Sequence, residues 1–164
     1  MTGLDYSRKA IDVCRKQHQV AGLTYIQGDA EALPLDDDTF DVVINVESSH
    51  CYRSMANFLR EVKRVLRPAG KFLWADLRAA KDAPALHEYV AQSGLVVLDR
   101  EDITACVVEA LRQDSPRRMA LIAQSVAKPL RHTFQEFAAV EGSEIYCAFR
   151  DRTAVYLRYV FQKQ

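Results

Sequence analysis

Apolar and polar positions along this chain follow two different periods, and the switches between them outline a succession of strands and helices. Thr2-Gly3-Leu4-Asp5 reads as the end of a strand. Ser7 then stands as the N-cap of a helix whose apolar positions Ala10, Ile11 and Cys14 fall at helical spacing. Leu23-Thr24-Tyr25-Ile26 predicts a short strand, and residues 40–46, Phe-Asp-Val-Val-Ile-Asn-Val, form a β-branched run of the kind buried on both faces of a parallel sheet. Between 55 and 66 the apolar residues Met55, Phe58, Leu59, Val62, Val65 and Leu66 share one helical face, and Pro68 and Gly70 stop the helix. A strand over 71–77, a helix over 83–92 that ends at Gly94, and a strand over 95–101 follow. From Ile103 to about Phe137 the pattern is helical, with a break near Ser115-Pro116, and residues 153–161 close the chain as a β-rich run. Strands alternating with helices imply an α/β layer fold around a mostly parallel sheet.

Composition narrows the picture. At 164 residues and 49% apolar content the chain has the size of one domain, 1–164, with no repeat, linker or low-complexity segment. Lys+Arg and Asp+Glu balance at 22 each, which argues against nucleic acid or an anionic membrane as partner and leaves a small molecule. Residues 1–5 lack the basic and apolar regions of a signal peptide, and no apolar stretch approaches the roughly 20 residues of a membrane span, so a cytoplasmic protein is expected. Cys14, Cys51, Cys106 and Cys147 are far apart and never form C-x-x-C, which disfavours a disulfide framework and a metal site. Cys14, Cys106 and Cys147 read as reduced core thiols.

In an α/β sheet, ligands bind beyond the carboxyl ends of the strands, so the residues just after each strand are the candidates. Three clusters occupy those places: Asp5, Asp29, and the stretch from Asn45 to Tyr52. A carboxylate at Asp5 can accept from two neighbouring hydroxyls such as those of a ribose, although a frayed terminal residue is an equal reading of its position. Asp29 also fits a turn or N-cap aspartate. Asn45-Val46-Glu47-Ser48-Ser49-His50-Cys51-Tyr52 opens a hydrophobic strand into consecutive polar and reactive residues, which packing alone does not explain.

The run Gly28-Asp29-Ala30-Glu31-Ala32-Leu33-Pro34-Leu35, then residues 38–45, then Leu66-Arg67-Pro68-Ala69-Gly70, in this order and spacing, resembles the middle of a class I S-adenosylmethionine-dependent methyltransferase. The resemblance implies a Rossmann-like sheet with an antiparallel last strand and S-adenosylmethionine as cofactor. It also implies that Asp5 holds the ribose with Tyr6 beside the adenine, and that Asp29 accepts from the adenine amino group while the Ala30 N–H faces a ring nitrogen. Asn45 and Glu47 would meet the cofactor's methionyl or acceptor region. Methyl transfer to a hydroxyl is an in-line displacement at a sulfonium methyl, and removing the acceptor's proton raises its nucleophilicity. His50 suits that base role near neutral pH, with Asp76 orienting the imidazole or sharing the role; a satisfied structural histidine and a helix-capping aspartate are the plainer readings. Cys51 has no part, since sulfonium transfer needs no covalent intermediate.

Residues 46–52, 58–68 and 75–78 narrow the resemblance to the phthiotriol dimycocerosate methyltransferases and related bacterial O-methyltransferases, and Tyr156-Leu157-Arg158-Tyr159 continues it. That group implies a hydroxyl acceptor on an apolar lipid or polyketide-like molecule. It also makes residues 103–137 a helical insertion before the last strand, read either as core packing or as a lid. The chain departs from the group in lacking its first strand and G-x-G-x-G turn, which would leave two sheet edges open to another copy or an N-terminal segment. Two rival readings are a non-catalytic remnant with an adenosine-like pocket, and a nucleotide-dependent oxidoreductase. The second rests on Tyr159 and Lys163 at Y-x-x-x-K spacing, which lies in a β-rich run rather than on a helix.

Overall fold

The computed structural model of residues 1–164 contains six strands and six α-helices. In chain order they are β1 (Thr2–Asp5), α1 (Arg8–Gln17), β2 (Thr24–Gln27), β3 (Phe40–Val46), α2 (Met55–Val65), β4 (Leu66–Ala79), α3 (Ala83–Gln92), β5 (Leu95–Asp102), α4 (Thr104–Ser125), α5 (Arg131–Phe137), α6 (Glu144–Arg150) and β6 (Ala154–Lys163). The strands form two sheets rather than one. β1 and β2 pair in parallel, while the other four run in the order β3-β4-β6-β5. β3 and β4 are parallel, and β6 is antiparallel to both its neighbours, so β3, β4 and β5 share one direction and only the last strand in sequence opposes it. β1 bonds only to β2 and β3 only to β4, leaving each with one free edge.

The main core forms where the apolar stripes of α2 and α3 meet the sheet. Phe58, Leu59 and Val62 from α2 and Leu86 and Val90 from α3 pack on Phe72, Trp74, Tyr159 and Phe161. Phe72 stacks on Phe161 at 5.3 Å between ring centroids, and Phe161 on Tyr159 at 5.2 Å. Burying each such side chain contributes about 1.5–3 kcal/mol, which anchors the β4–β6 seam. A second cluster joins Leu111 of α4, Ala139, Tyr146 and Phe149 to Tyr156 on β6, with Ile103, Val107 and Val108 against it. The first half of the 103–137 segment therefore packs as core.

Several expectations are corrected. β3 is not buried on both faces: Val42, Ile44 and Val46 are 47%, 66% and 58% exposed, because no helix covers that side and the adjoining edge is free. α4 does not break at Pro116. The ring removes one backbone donor, yet Leu111, Ser115 and Ile122 are buried on either side of it, Ser115 Oγ accepts from the Glu141 N–H at 2.8 Å, and Asp114 binds Arg117 and Arg118. The helix ends instead at Ser125, ahead of Pro129. β4 starts at Leu66 and runs through Pro68 and Gly70, with a register irregularity opposite Phe40–Val42. A Cβ at position 70 would lie 2.8 Å from the Arg67 carbonyl oxygen, so glycine lets the strand close up there. α6 was not expected; Ser143 caps it, its Oγ accepting from the Tyr146 N–H at 3.2 Å. Cys106 is exposed on α4 rather than in the core, and all four thiols are free. No helix is long and apolar enough to cross a membrane.

Candidate active site

A cavity of about 700 Å³ opens at the carboxyl ends of β1, β2 and β3, and its walls come from both sheets. β1 contributes Asp5 and the following Tyr6, the turn after β2 contributes Asp29 and Ala30, and the residue after β3 is Glu47. The two aspartates are built alike. Oδ1 of Asp5 accepts from the Ser7 N–H at 2.7 Å, and Oδ1 of Asp29 accepts from the Glu31 N–H at 2.8 Å. Each is an Asx turn that fixes the carboxylate by one oxygen and leaves the other for a ligand donor. Glu31 Oε1 in turn accepts from the Arg53 N–H at 2.7 Å, which ties the β2 turn to the segment after β3. Tyr6 is 79% exposed, an uncovered aromatic face on the cavity wall. The expected group Asp5, Tyr6, Asp29, Ala30 and Glu47 thus shares one cavity.

Glu47 is held in an uncommon geometry. Its φ is +48°, a left-handed conformation that costs a non-glycine residue about 1–3 kcal/mol and recurs at ligand sites. Two contacts fix it there. Its N–H donates to the Ala75 carbonyl at 2.9 Å, and its Oε1 accepts from the Tyr156 hydroxyl at 2.8 Å. Burial and the Glu47 carboxylate push the Tyr156 phenol far above its ordinary range, so it remains a donor.

Asn45, expected among the cofactor contacts, lies outside the cavity lining. Its Nδ2 donates to the Tyr52 hydroxyl at 3.0 Å, and that hydroxyl lies 2.8 Å from Ser48 Oγ. Tyr52 and Ser48 do line the cavity, so Asn45 acts one step behind the wall. Its Oδ1 is buried with no hydrogen-bond partner, an unmatched acceptor at the free edge of the sheet.

His50 and Asp76 meet beside this cavity, though neither lines it. The strand β4 carries Asp76 to full burial, and the short 3-10 turn Ser49–Cys51 brings His50 onto it. His50 Nδ1 is 2.7 Å from Asp76 Oδ1, and Asp76 Oδ2 accepts from the His50 N–H at 2.9 Å and from Ser49 Oγ at 2.7 Å. Ser49 Oγ accepts in turn from Trp74 Nε1 and Arg78 Nη2, both at 2.8 Å. The Arg78 guanidinium lies 3.3 Å from Asp76 and 5.2 Å over the Trp74 ring. Burial pushes the Asp76 carboxyl up, but the hydrogen bonds from Ser49 and His50 and the Arg78 charge outweigh it and hold the group below its usual range. An ionised Asp76 makes Nδ1 the protonated ring nitrogen, which leaves Nε2 as a proton acceptor on a side chain 32% exposed. Sequence reading missed the Glu47–Tyr156 bond and the Ser49–Trp74–Arg78 support; the first spans two distant strands and has no local signal.

Comparison with known proteins gives matches in sequence and in fold. Residues 1–74 match the family model described as "Methyltransferase domain". Over 162 residues the chain is 39% identical to a phthiotriol/phenolphthiotriol dimycocerosates methyltransferase of Mycobacterium tuberculosis, covering 99% of this chain and 60% of that protein. It is 37% identical to a fatty-acid O-methyltransferase of Mycolicibacterium smegmatis, covering 99% of this chain and 58% of the relative. The chain thus spans about 60% of the length of such relatives. Among solved structures, a Haemonchus contortus phosphoethanolamine N-methyltransferase 2 in complex with S-adenosyl-L-methionine superposes with a TM-score of 0.80 at 15% identity, over 99% of this chain and 43% of that one. A geranyl diphosphate methyltransferase in complex with SAM gives a TM-score of 0.68 at 15% identity, over 99% and 68%. The fold is that of these structures.

Proposed function

We propose that the chain forms the adenosine-binding and acceptor-activating part of an S-adenosylmethionine-dependent methyltransferase that methylates a hydroxyl on an apolar, lipid-like or polyketide-like molecule. The observation that carries the reading is the single cavity in which Asp5 and Asp29 each present one free carboxylate oxygen, next to a His50–Asp76 pair. The donor set suits a nucleoside: two carboxylate acceptors for ribose hydroxyls and an exocyclic amine, an aromatic face at Tyr6, and the Ala30 N–H. S-adenosylmethionine supplies an electrophilic sulfonium methyl. His50 Nε2 takes the acceptor's proton as the oxygen attacks, and Asp76 stabilises the imidazolium that forms. Glu47, fixed by Tyr156, orients the ligand at the boundary between cofactor and acceptor. The names of the relatives, a dimycocerosates methyltransferase and a fatty-acid O-methyltransferase, support an apolar acceptor. The four free cysteines fit a reducing, cytoplasmic setting.

The lining holds one glycine, Gly28, and no glycine-rich turn for the methionine end of the cofactor. A parallel strand between β1 and β3 would pair both free edges and bring such a turn to the cavity. Calorimetric titration with S-adenosylhomocysteine and with adenosine tests the reading, on the 164-residue chain and on a fusion carrying a relative's strand and glycine-rich turn upstream of Met1. Adenosine binding by both, and S-adenosylhomocysteine binding that is much tighter in the fusion, are expected. If neither protein binds either ligand, the reading fails.

A further inference from the structure

Trp74, Asp76 and Arg78 stand two residues apart on β4, so their side chains leave the strand on one face. Ser49 is buried against that face and its hydroxyl bonds to all three. A serine hydroxyl has two lone pairs and one hydrogen, whereas the Trp74 indole and the Arg78 guanidinium are donors only. Trp74 Nε1 and Arg78 Nη2, each 2.8 Å from Ser49 Oγ, fill both lone pairs. The hydroxyl hydrogen is thereby committed to Asp76 Oδ2, 2.7 Å away.

The carboxylate is then enclosed by donors. Oδ2 also accepts from the His50 N–H, and Oδ1 accepts from the Leu77 N–H at 2.8 Å while facing His50 Nδ1 at 2.7 Å. Three donors and Nδ1 thus fill the roughly four lone-pair sites of a carboxylate. The hydrogen between Asp76 and His50 belongs to Nδ1 for as long as Asp76 is ionised. Apart from His50 itself, Arg78 is the one cationic side chain in ion-pair contact with Asp76, at 3.3 Å. Its guanidinium is held in place by the Trp74 ring, by Ser49 and by the Leu77 carbonyl, to which Nη1 donates at 2.6 Å. Without that charge, burial favours the neutral acid. A protonated Asp76 would donate to Nδ1 and leave the imidazole hydrogen on Nε2, which then accepts nothing.

We propose that Arg78 is a positioning residue for His50: acting through Ser49 and Asp76, it keeps the imidazole hydrogen on Nδ1 and Nε2 free. Its value to methyl transfer rests on the proposed role of His50 as base, but the tautomer is measured without any substrate. Nitrogen-15 NMR of the histidine-labelled 164-residue chain, on the alkaline side of the imidazole titration, reads it directly, with the His50 signals assigned by their loss in His50→Gln. The parent should show a protonated Nδ1 and a bare Nε2. Arg78→Gln should move both signals towards the opposite pattern and slow the carbethoxylation of His50 by diethyl pyrocarbonate severalfold, leaving the other histidines unchanged. Ser49→Ala, which keeps Arg78 but removes the hydroxyl it acts through, should move them the same way by less, and Arg78→Lys, which keeps the charge, should stay nearer the parent. The proposal is overturned if the parent carries its hydrogen on Nε2, if a folded Arg78→Gln keeps the parent pattern, or if Arg78→Lys departs from it as far as Arg78→Gln does. Should Arg78→Gln not fold, an unchanged pattern in Ser49→Ala overturns it. The expected tautomers in a protein that methylates no hydroxyl would uphold the role of Arg78 and remove the methyl-transfer reading alone.

Discussion

His50 Nδ1 lies 2.7 Å from Asp76 Oδ1 across 26 residues of sequence, with Ser49 Oγ and the His50 N–H closing the other side of the same carboxylate. The arrangement fixes which imidazole nitrogen is free, and it does so with a carboxylate that solvent does not reach.

If the proposed methyl transfer holds, His50→Ala should lower turnover by about 10² to 10⁴ while leaving S-adenosylhomocysteine affinity nearly unchanged, the signature of a lost general base. Asp76→Asn should give a smaller loss together with a changed pH–rate profile, since the amide holds the wrong tautomer. Steady-state kinetics beside calorimetry separates the two effects. Unchanged turnover in His50→Ala would leave the pair a purely structural one.

Asp5→Ala and Asp29→Ala should each weaken adenosine or S-adenosylhomocysteine binding by roughly tenfold or more, as expected for a lost hydrogen bond to a charged group. Turnover at saturating cofactor should fall far less. Both carboxylates also cap local turns, so a small drop in melting temperature accompanies each change. Binding that survives both substitutions together would move the nucleoside elsewhere.

Acid should act through Asp76. Its carboxyl titrates below its unfolded value of about 3.9, so its contribution to stability is fully present above that pH and is lost as pH falls through the lower folded value. Urea midpoints measured from pH 6 to pH 2.5 should show this loss in the parent protein. Asp76→Asn should be less stable at pH 6 and should converge on the parent at the acid end. A variant that parallels the parent at every pH would remove Asp76 from the acid transition.

Val42, Ile44 and Val46 form an exposed apolar row beside a free strand edge, a combination that favours association between chains. Ile44→Lys should leave the free energy of urea unfolding within about 0.5 kcal/mol of the parent while reducing self-association in sedimentation. A large loss of stability instead would mean that this face is covered in solution.

What the sequence made legible were features with a local cause. Asp5 and Asp29 stand immediately after strands, and strand ends are where an α/β sheet keeps its ligand sites, so their convergence could be read from position alone. The polar run after β3 likewise marks the stretch in which His50 meets Asp76. The misses share a different cause. The apolar run of β3 suggested burial on both faces, but periodicity records what a residue would favour and not whether a covering helix is there. Pro116 was read as a break because the local rule says so, whereas buried neighbours on either side carry the helix through it. Tyr156 reaches Glu47 only because β6 folds back beside β4, a contact with no local signal in the sequence.

The division of the strands between two sheets has a consequence for how this molecule responds to its ligand. The β1–α1–β2 segment carries Asp5 and Asp29, while Glu47 belongs to the other sheet, and no backbone ladder joins the two. A nucleoside in the cavity would bridge the two sheets, adding to the Glu31–Arg53 bond that already ties the β2 turn to the segment after β3. Its binding energy appears as resistance to opening, about 2.7 kcal/mol at a ligand concentration one hundred times Kd. Amide exchange in residues 2–27 should run faster than in β4 and β6 without ligand and slow selectively when adenosine is added. Under the proposed function, a bound cofactor would serve as part of the scaffold, and the stability of the N-terminal segment would measure how much cofactor surrounds it.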